Sequence, residues 1–379
     1  MSNGSVRPAR SAVIAGGGIS GMALALQLRR SGWQVTLIEA DPEWRVYGAG
    51  ITVTGPTYRA FRTLGILADL AAEGFFVEHG SRICAADGTT LNDLVESPLE
   101  PDLPVVGGIM RPMLHRLLAR RVRESGADVR LGRTIAAFDD DGQGVTATLD
   151  DGTNVRADIL VGADGIFSAT RRALFSDAPD PQYTGQYCWR LLSDRPAAID
   201  RAHFFVGSDI VAGLMPVSPK TMYMWLLDRQ PQQAKIEDAH LRDRLRMLMA
   251  PFSGVLGDVR DAISDDSIVN VRPLVSHLLP DPWYRGNAIL IGDAAHGTTP
   301  HLASGAGIAV EDAIVLAEEL DRAPTTAAAF AAFMARRFER CRMVVENSVA
   351  IGRMQQEHAS PDKLGAMMAA SQAALLQPI

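Results

Sequence analysis

The chain has 379 residues, more than one ordinary domain needs, and its 47% hydrophobic and 21% charged content is that of a soluble globular protein with ample core. A formal net charge of −7 offers nucleic acid no basic face, and no apolar run reaches the roughly 18 residues of a membrane span. Cys84, Cys188 and Cys341 are too few and too scattered for a disulfide framework or a metal cluster, so a reducing cytoplasm and two packed domains are expected.

After a polar leader, Ser11-Ala12-Val13-Ile14-Ala15 reads as a short strand, Gly16-Gly17-Gly18-Ile19-Ser20-Gly21 as a turn, and Met22–Arg30 as a helix. Gly16, Gly18 and Gly21 fit the dinucleotide fingerprint, where glycines permit the tight turn, the approach of backbone to pyrophosphate and the packing of helix on strand. A second strand, Gln34–Ile38, ends in Glu39, 18 residues after Gly21, where a carboxylate accepts hydrogen bonds from an adenosine ribose. The fingerprint occurs once, so one dinucleotide has a dedicated fold.

From Asp41 to Ile51 the chain leaves this pattern for a Gly-containing loop, in which Arg45 is either a surface charge or a ligand. A helix is expected over Thr57–Leu70. Antiparallel strands follow from Phe75 to Leu99, turning at Ala86-Asp87-Gly88-Thr89. Val105–Arg111 leads into a helix from Met113 to Ser125, whose arginines form a solvated face. A β-meander is expected from Asp128–Leu131, Gly144–Leu149 and Val155–Asp158. Then Ile159-Leu160-Val161-Gly162-Ala163-Asp164-Gly165 brings a carboxylate out of an apolar strand, and Ser168 is placed to cap the helix that follows.

Between Tyr183 and Val271 long β runs, interrupted by an Arg- and Met-rich helix over Ala239–Met249, predict a second domain built on an antiparallel sheet. Alternation puts Tyr223 and Trp225 on one face, Met222 and Met224 on the other. Asn287–Ile291 then feeds Gly292-Asp293-Ala294-Ala295-His296, and a loop from Gly297 through Pro300 to Gly307 opens an apolar helix near Ile308. The amides of Gly305, Ala306 and Gly307 stand at the positive end of that helix, a place for an electron-rich group. His296 and His301 flank the loop without a carboxylate partner in sequence; no metal site is expected, and His296 is read as a structural hydrogen-bonding residue. The tail over Leu364–Leu376 reads as helix.

GGGISG with Glu39, GADGIFSATR and GDAAHGTTP together resemble, in order and separation, the three motifs of the class A, p-hydroxybenzoate-hydroxylase-like FAD-dependent aromatic monooxygenases. The resemblance covers essentially the whole chain and is nearest to the compact branch of salicylate, 6-hydroxynicotinate and urate hydroxylases. It implies an α/β fold: a Rossmann-type (GR2-like) FAD-binding domain from residues 1–75, 103–180 and 268–345, an antiparallel β-sheet substrate domain from 76–102 and 181–267, and C-terminal helices over 346–379. It implies non-covalent FAD held by Gly16, Gly18, Gly21, Glu39, Arg45, Arg111, Asp164, Asp293, Gly305 and Ala306. It also implies NADH or NADPH as a transient co-substrate, and transfer of oxygen from O2 to a small aromatic or N-heteroaromatic ring through a flavin C4a-hydroperoxide.

Between the ring site and the sheet the resemblance places a substrate near Arg190, Met215, Tyr223, Trp225 and Pro300. Tyr223 is the candidate for helping ionise a substrate hydroxyl, and Pro300 for contact through its carbonyl. Arg190 either meets a substrate carboxylate or braces the sheet. One departure stands out: the strand Ile210–Leu214 carries no cation where the urate branch is expected to offer an arginine, which makes urate a weak candidate. A flavin-binding reductase or a non-hydroxylating flavoprotein on the same fold is the alternative, and monomer and homodimer both stay open.

Overall fold

The computed structural model describes residues 10–379 apart from 47, 79, 208, 209 and 235, so residues 1–9 and Tyr47 of the Gly-containing loop lie outside the described residues. Six strands form the first sheet, in the order Tyr284–Arg285, Ala288–Leu290, Ile159–Gly162, Ser11–Ala15, Gln34–Glu39 and Asp128–Leu131. All pairings are parallel except that of the Tyr284–Arg285 edge. The central strands are short, continuous apolar runs, as a parallel sheet covered on both faces requires. Helices Ile19–Arg30 and Gly305–Arg322 pack on each other beside it. Because the strands point one way, Gly16, Glu39, Asp164 and Asp293 all emerge at their C-terminal ends, along one edge.

A seven-stranded sheet makes the second layer: Val269–Ser276, Gln182–Asp194, Thr221–Arg229, Val211–Pro216, Ala202–Val206, Ser81–Ala85 and Thr90–Leu94. It is antiparallel apart from the pairing of Ala202–Val206 with Ser81–Ala85. Met222, Met224 and Leu226 pack under helices Leu241–Met249 and Gly254–Asp261, and the opposite face carries Tyr223 and Trp225, as alternation predicts. A small sheet of Gly50–Thr54, Val106–Met110 and Phe75–Val77 joins the two layers. It touches the large sheet so closely that a Cβ on Gly108 would lie 2.2 Å from the Pro216 carbonyl oxygen.

Three expectations need correcting. Asp128–Leu131 is no part of the meander; it pairs in parallel with Gln34–Glu39, and the meander consists of Ile135–Asp140, Val145–Leu149 and Asn154–Ala157. A four-residue strand carries no local trace of its partner. The helix expected over Thr57–Leu70 is two, Gly55–Thr63 and Leu67–Glu73, separated at Gly65, whose φ of +73° ends the first. The loop after Asp293 enters its helix at Gly305 rather than Ile308. Helix Thr326–Gln356 then runs unbroken past residue 345, and Pro361–Leu376 closes the described chain.

Candidate active site

The first turn is shaped by backbone contact. Gly16 has a φ of +104°, and a Cβ there would stand 2.4 Å from the Ala163 carbonyl oxygen; one on Gly21 would stand 2.0 Å from the Gly16 carbonyl oxygen. A Cβ on Gly18 would meet nothing within 4 Å, so this side of the turn faces open space. Glu39 braces the loop: Oε2 accepts from the Gly17 N–H at 2.7 Å and Oε1 from the Asp41 N–H at 2.8 Å. The Trp44 indole N–H donates to the Gly17 carbonyl at 2.9 Å.

Asp164 is used locally. Its Oδ2 accepts from the Thr170 N–H at 2.9 Å and hydroxyl at 3.0 Å, and its Oδ1 from the Ser168 hydroxyl. Ser168 in turn caps helix Ala169–Leu174 by accepting from the Arg171 N–H at 2.8 Å, as expected. Arg45 is half-exposed beside Glu43 at 2.9 Å and Asp41 at 3.5 Å.

Asp293 starts a single helical turn, Asp293–His296, after Gly292 at a φ of +58°. Its side chain is solvent-accessible yet ringed by protein, which pushes its carboxyl above the usual carboxylate range against the pull of His296 and Arg111. Arg111, at the start of helix Arg111–Glu124, shows the same combination: desolvation lowers its pKa, while Asp293 opposes the shift. The two residues therefore line a deep cleft. Exposed Pro300 opens the turn Pro300–Leu302, Ala303 follows at a φ of +49°, and half-buried Gly305 and Ala306 head the long helix on the same side.

Behind that turn lies a buried charge network. His296 Nε2 is 2.5 Å from Asp312 Oδ2, which also accepts from the Gly292 N–H at 2.9 Å. Arg337 reaches Asp312 Oδ1 at 2.8 Å and Glu311 at 2.8 Å, and Arg340 holds Glu311 from the other side. Burial works to neutralise both members of the central pair. The Cys341 sulfur and the Asp312 carboxylate nevertheless lift His296 well above its ordinary value, and His296 and Arg337 bring Asp312 down to about 2. His296 thus has the carboxylate partner that its sequence neighbourhood lacked. His296, Asp312 and Cys341 offer ligand atoms within 4.8 Å of one another, but the Arg337 guanidinium, 3.4 Å from the Cys341 sulfur, already brings the positive charge a metal would bring.

The five expected substrate residues divide by exposure. Met215 and Tyr223 are buried against the small sheet: a Cβ on Gly108 would lie 2.9 Å from Met215 Cγ, and one on Gly50 would lie 2.1 Å from the Tyr223 ring. The Tyr223 hydroxyl is 2.7 Å from Thr52 Oγ1, and burial raises its pKa, so the phenol is neutral. Arg190 and Trp225 are half-buried neighbours in register, and Pro300 is exposed. Arg190 is close enough to Arg111 for the two charges to be felt, which ties the sheet face to the cleft of Asp293.

The FAD binding domain family matches residues 10–348. The chain belongs to this family. It is 31% identical to the putative FAD-dependent monooxygenase YetM of Bacillus subtilis over 93% of this chain and 96% of that protein. It is also 31% identical to 2-heptyl-3-hydroxy-4(1H)-quinolone synthase of Pseudomonas aeruginosa, over 91% of this chain and 89% of that one. Klebsiella pneumoniae HpxO complexed with FAD and uric acid superimposes with a TM-score of 0.82 at 25% identity, covering 97% of this chain and 93% of that one. The chain is an FAD-dependent monooxygenase of the aromatic hydroxylase type. No helix among the described residues is long and apolar enough to cross a membrane.

Proposed function

We propose that this monooxygenase hydroxylates a small aromatic or N-heteroaromatic ring bearing a phenol-like hydroxyl, with NADH or NADPH as reductant. The observation that supports the reading is that the charges of Asp293 and Arg190 both reach Arg111, which links the strand-end site to the sheet face where Trp225 pairs in register with Arg190. The similarity to a quinolone synthase supports an N-heteroaromatic substrate. The uncharged strand Val211–Pro216 weighs against urate.

The residues fit FAD. The open side of Gly18 and the tight Gly16–Gly21 turn would admit a pyrophosphate to the start of helix Ile19–Arg30, with Arg45 and Arg111 as cationic partners. Glu39 has lone pairs left for ribose hydroxyls. Asp293 would take ribityl hydroxyls, Asp164 would hold its turn against Gly16, and the Gly305 and Ala306 amides would stabilise negative charge at the helix N-terminus. When bound, FAD supplies the reduction and oxygen activation. The chain's own contribution is positional. Trp225 presents an aromatic surface, Arg190 a cation for a ring oxygen, the Pro300 carbonyl an acceptor, and Tyr223 a neutral phenol that orients a substrate hydroxyl by donating to it rather than removing its proton.

The test is to incubate purified holoenzyme with NADH or NADPH and with 4-hydroxyquinoline, salicylate and 6-hydroxynicotinate in turn. Stimulated reductant oxidation with a stoichiometric hydroxylated product is expected for at least one. Oxidation that yields no product with any of them would overturn the reading.

A further inference from the structure

Residues Arg190, Trp225, Gly213 and Phe204 lie side by side in register across four strands of the large sheet, on the face whose Arg190 is felt by Arg111. Gly213 is buried and has no backbone strain to explain a glycine. Its neighbour explains it: a Cβ would stand 2.4 to 2.5 Å from Cε2, Cζ2 and Nε1 of Trp225. The indole is therefore folded across the strand, in the place a side chain at 213 would take. Phe204 meets its edge at 5.9 Å between centroids, and the buried cluster of Cys188, Leu227 and Leu274 supports it from the other row. Leu192 and Val206, on the same face, are 45% and 50% exposed and form an apolar rim at either end. An indole laid flat and half-uncovered beside an arginine is a stacking surface with a polar handle at one edge.

Resting on the function proposed above, we infer that the Gly213–Trp225 pair is the specificity determinant of the site, a platform that selects fused two-ring heteroaromatics over single rings. Glycine at 213 is needed because any side chain would lift the indole from the sheet. The second ring of the substrate covers the benzo portion of Trp225, and its ring oxygen reaches toward Arg190.

The test is equilibrium binding to the FAD-loaded protein, by dialysis and without reductant. The probes are 4-hydroxyquinoline and 4-hydroxypyridine, which share the polar group and differ by the fused ring. Wild type should bind the two-ring probe at least tenfold more tightly, and Trp225→Leu and Gly213→Ala should each shrink that ratio about tenfold, while Trp225→Phe keeps most of it. Gly213→Ala is the cleaner variant, since the three atoms nearest its added carbon all belong to the Trp225 indole rather than to backbone; retained FAD certifies each variant's fold. A wild-type ratio near one, or a ratio unchanged in Gly213→Ala, overturns the inference. Dialysis needs no turnover, so a platform that behaves as stated with no hydroxylated product would sink the hydroxylase reading alone.

Discussion

His296 Nε2 sits 2.5 Å from Asp312 Oδ2, with both residues buried, and so ties the turn after Asp293 to the helix that follows the Pro300 loop. Arg337 completes the pair from a third element, and the Gly292 N–H spends its hydrogen bond on the same carboxylate. Breaking such a network leaves charge buried without a partner, which costs about 3–5 kcal/mol.

Asp312→Asn should therefore lower the free energy of urea unfolding by about 3–5 kcal/mol. The pH dependence follows from the directions of the two shifts. Asp312, depressed to about 2, stabilises the fold above its ordinary value of 3.8, and that contribution is lost as pH falls through about 2. His296, raised above 6.5, contributes fully below that value and loses its contribution as pH rises through its folded value. Stability should fall on both sides of mildly acidic pH. Urea curves across pH check this, and an Asn variant as stable as wild type would dismiss the network.

Asp293→Ala should weaken FAD binding by about 1–3 kcal/mol, because it removes the acceptor expected for ribityl hydroxyls. Flavin occupancy after gel filtration and the affinity on reconstitution measure it. Unchanged values would reject the assignment.

Gly16→Ala should abolish FAD retention and lower stability. Its Cβ would press on the Ala163 carbonyl, backbone that cannot swing aside, at a φ of +104° that L residues avoid. Retention of flavin by a folded alanine variant would contradict this.

Tyr223→Phe should keep FAD and reduce coupled product formation about tenfold, the value of one hydrogen bond to substrate. Thr52→Val should do less, since it leaves the phenol in place. Product must be measured beside reductant consumption, because a misplaced substrate can still stimulate reduction. Full product rate and yield from Tyr223→Phe would reduce the residue to packing.

The three motifs were legible because each is local: in two of them an apolar strand, a turn residue and a carboxylate lie within a dozen positions, as Ile159–Gly162 before Asp164 shows, and the first needs only one strand–helix–strand unit from Ser11 to Glu39. What stayed hidden was pairing at a distance. Asp128–Leu131 looked like the start of a meander because nothing in four residues names a parallel partner ninety positions upstream. The partner of His296 was hidden in the same way, although a signal existed. Glu311 and Asp312 interrupt an apolar helix, and Arg337 stands in the stripe Phe333, Met334, Cys341 and Val344 of another, so opposite charges were destined for one core. Nor could alternation, which placed Tyr223 and Trp225 on one face, tell the buried phenol from the half-open indole. That difference comes from Gly50 and the small sheet packing against the ring carbons of Tyr223.

Oxygen transfer is tested most directly with heavy-isotope-labelled O2, supplied to holoenzyme, NADH or NADPH, and 4-hydroxyquinoline, with salicylate and 6-hydroxynicotinate alongside. We expect substrate-dependent reductant oxidation and one labelled oxygen atom per hydroxylated product for at least one probe. Reductant oxidation that ends only in hydrogen peroxide, or a product whose new oxygen comes from water, would contradict the hydroxylase reading and leave a flavin reductase in its place.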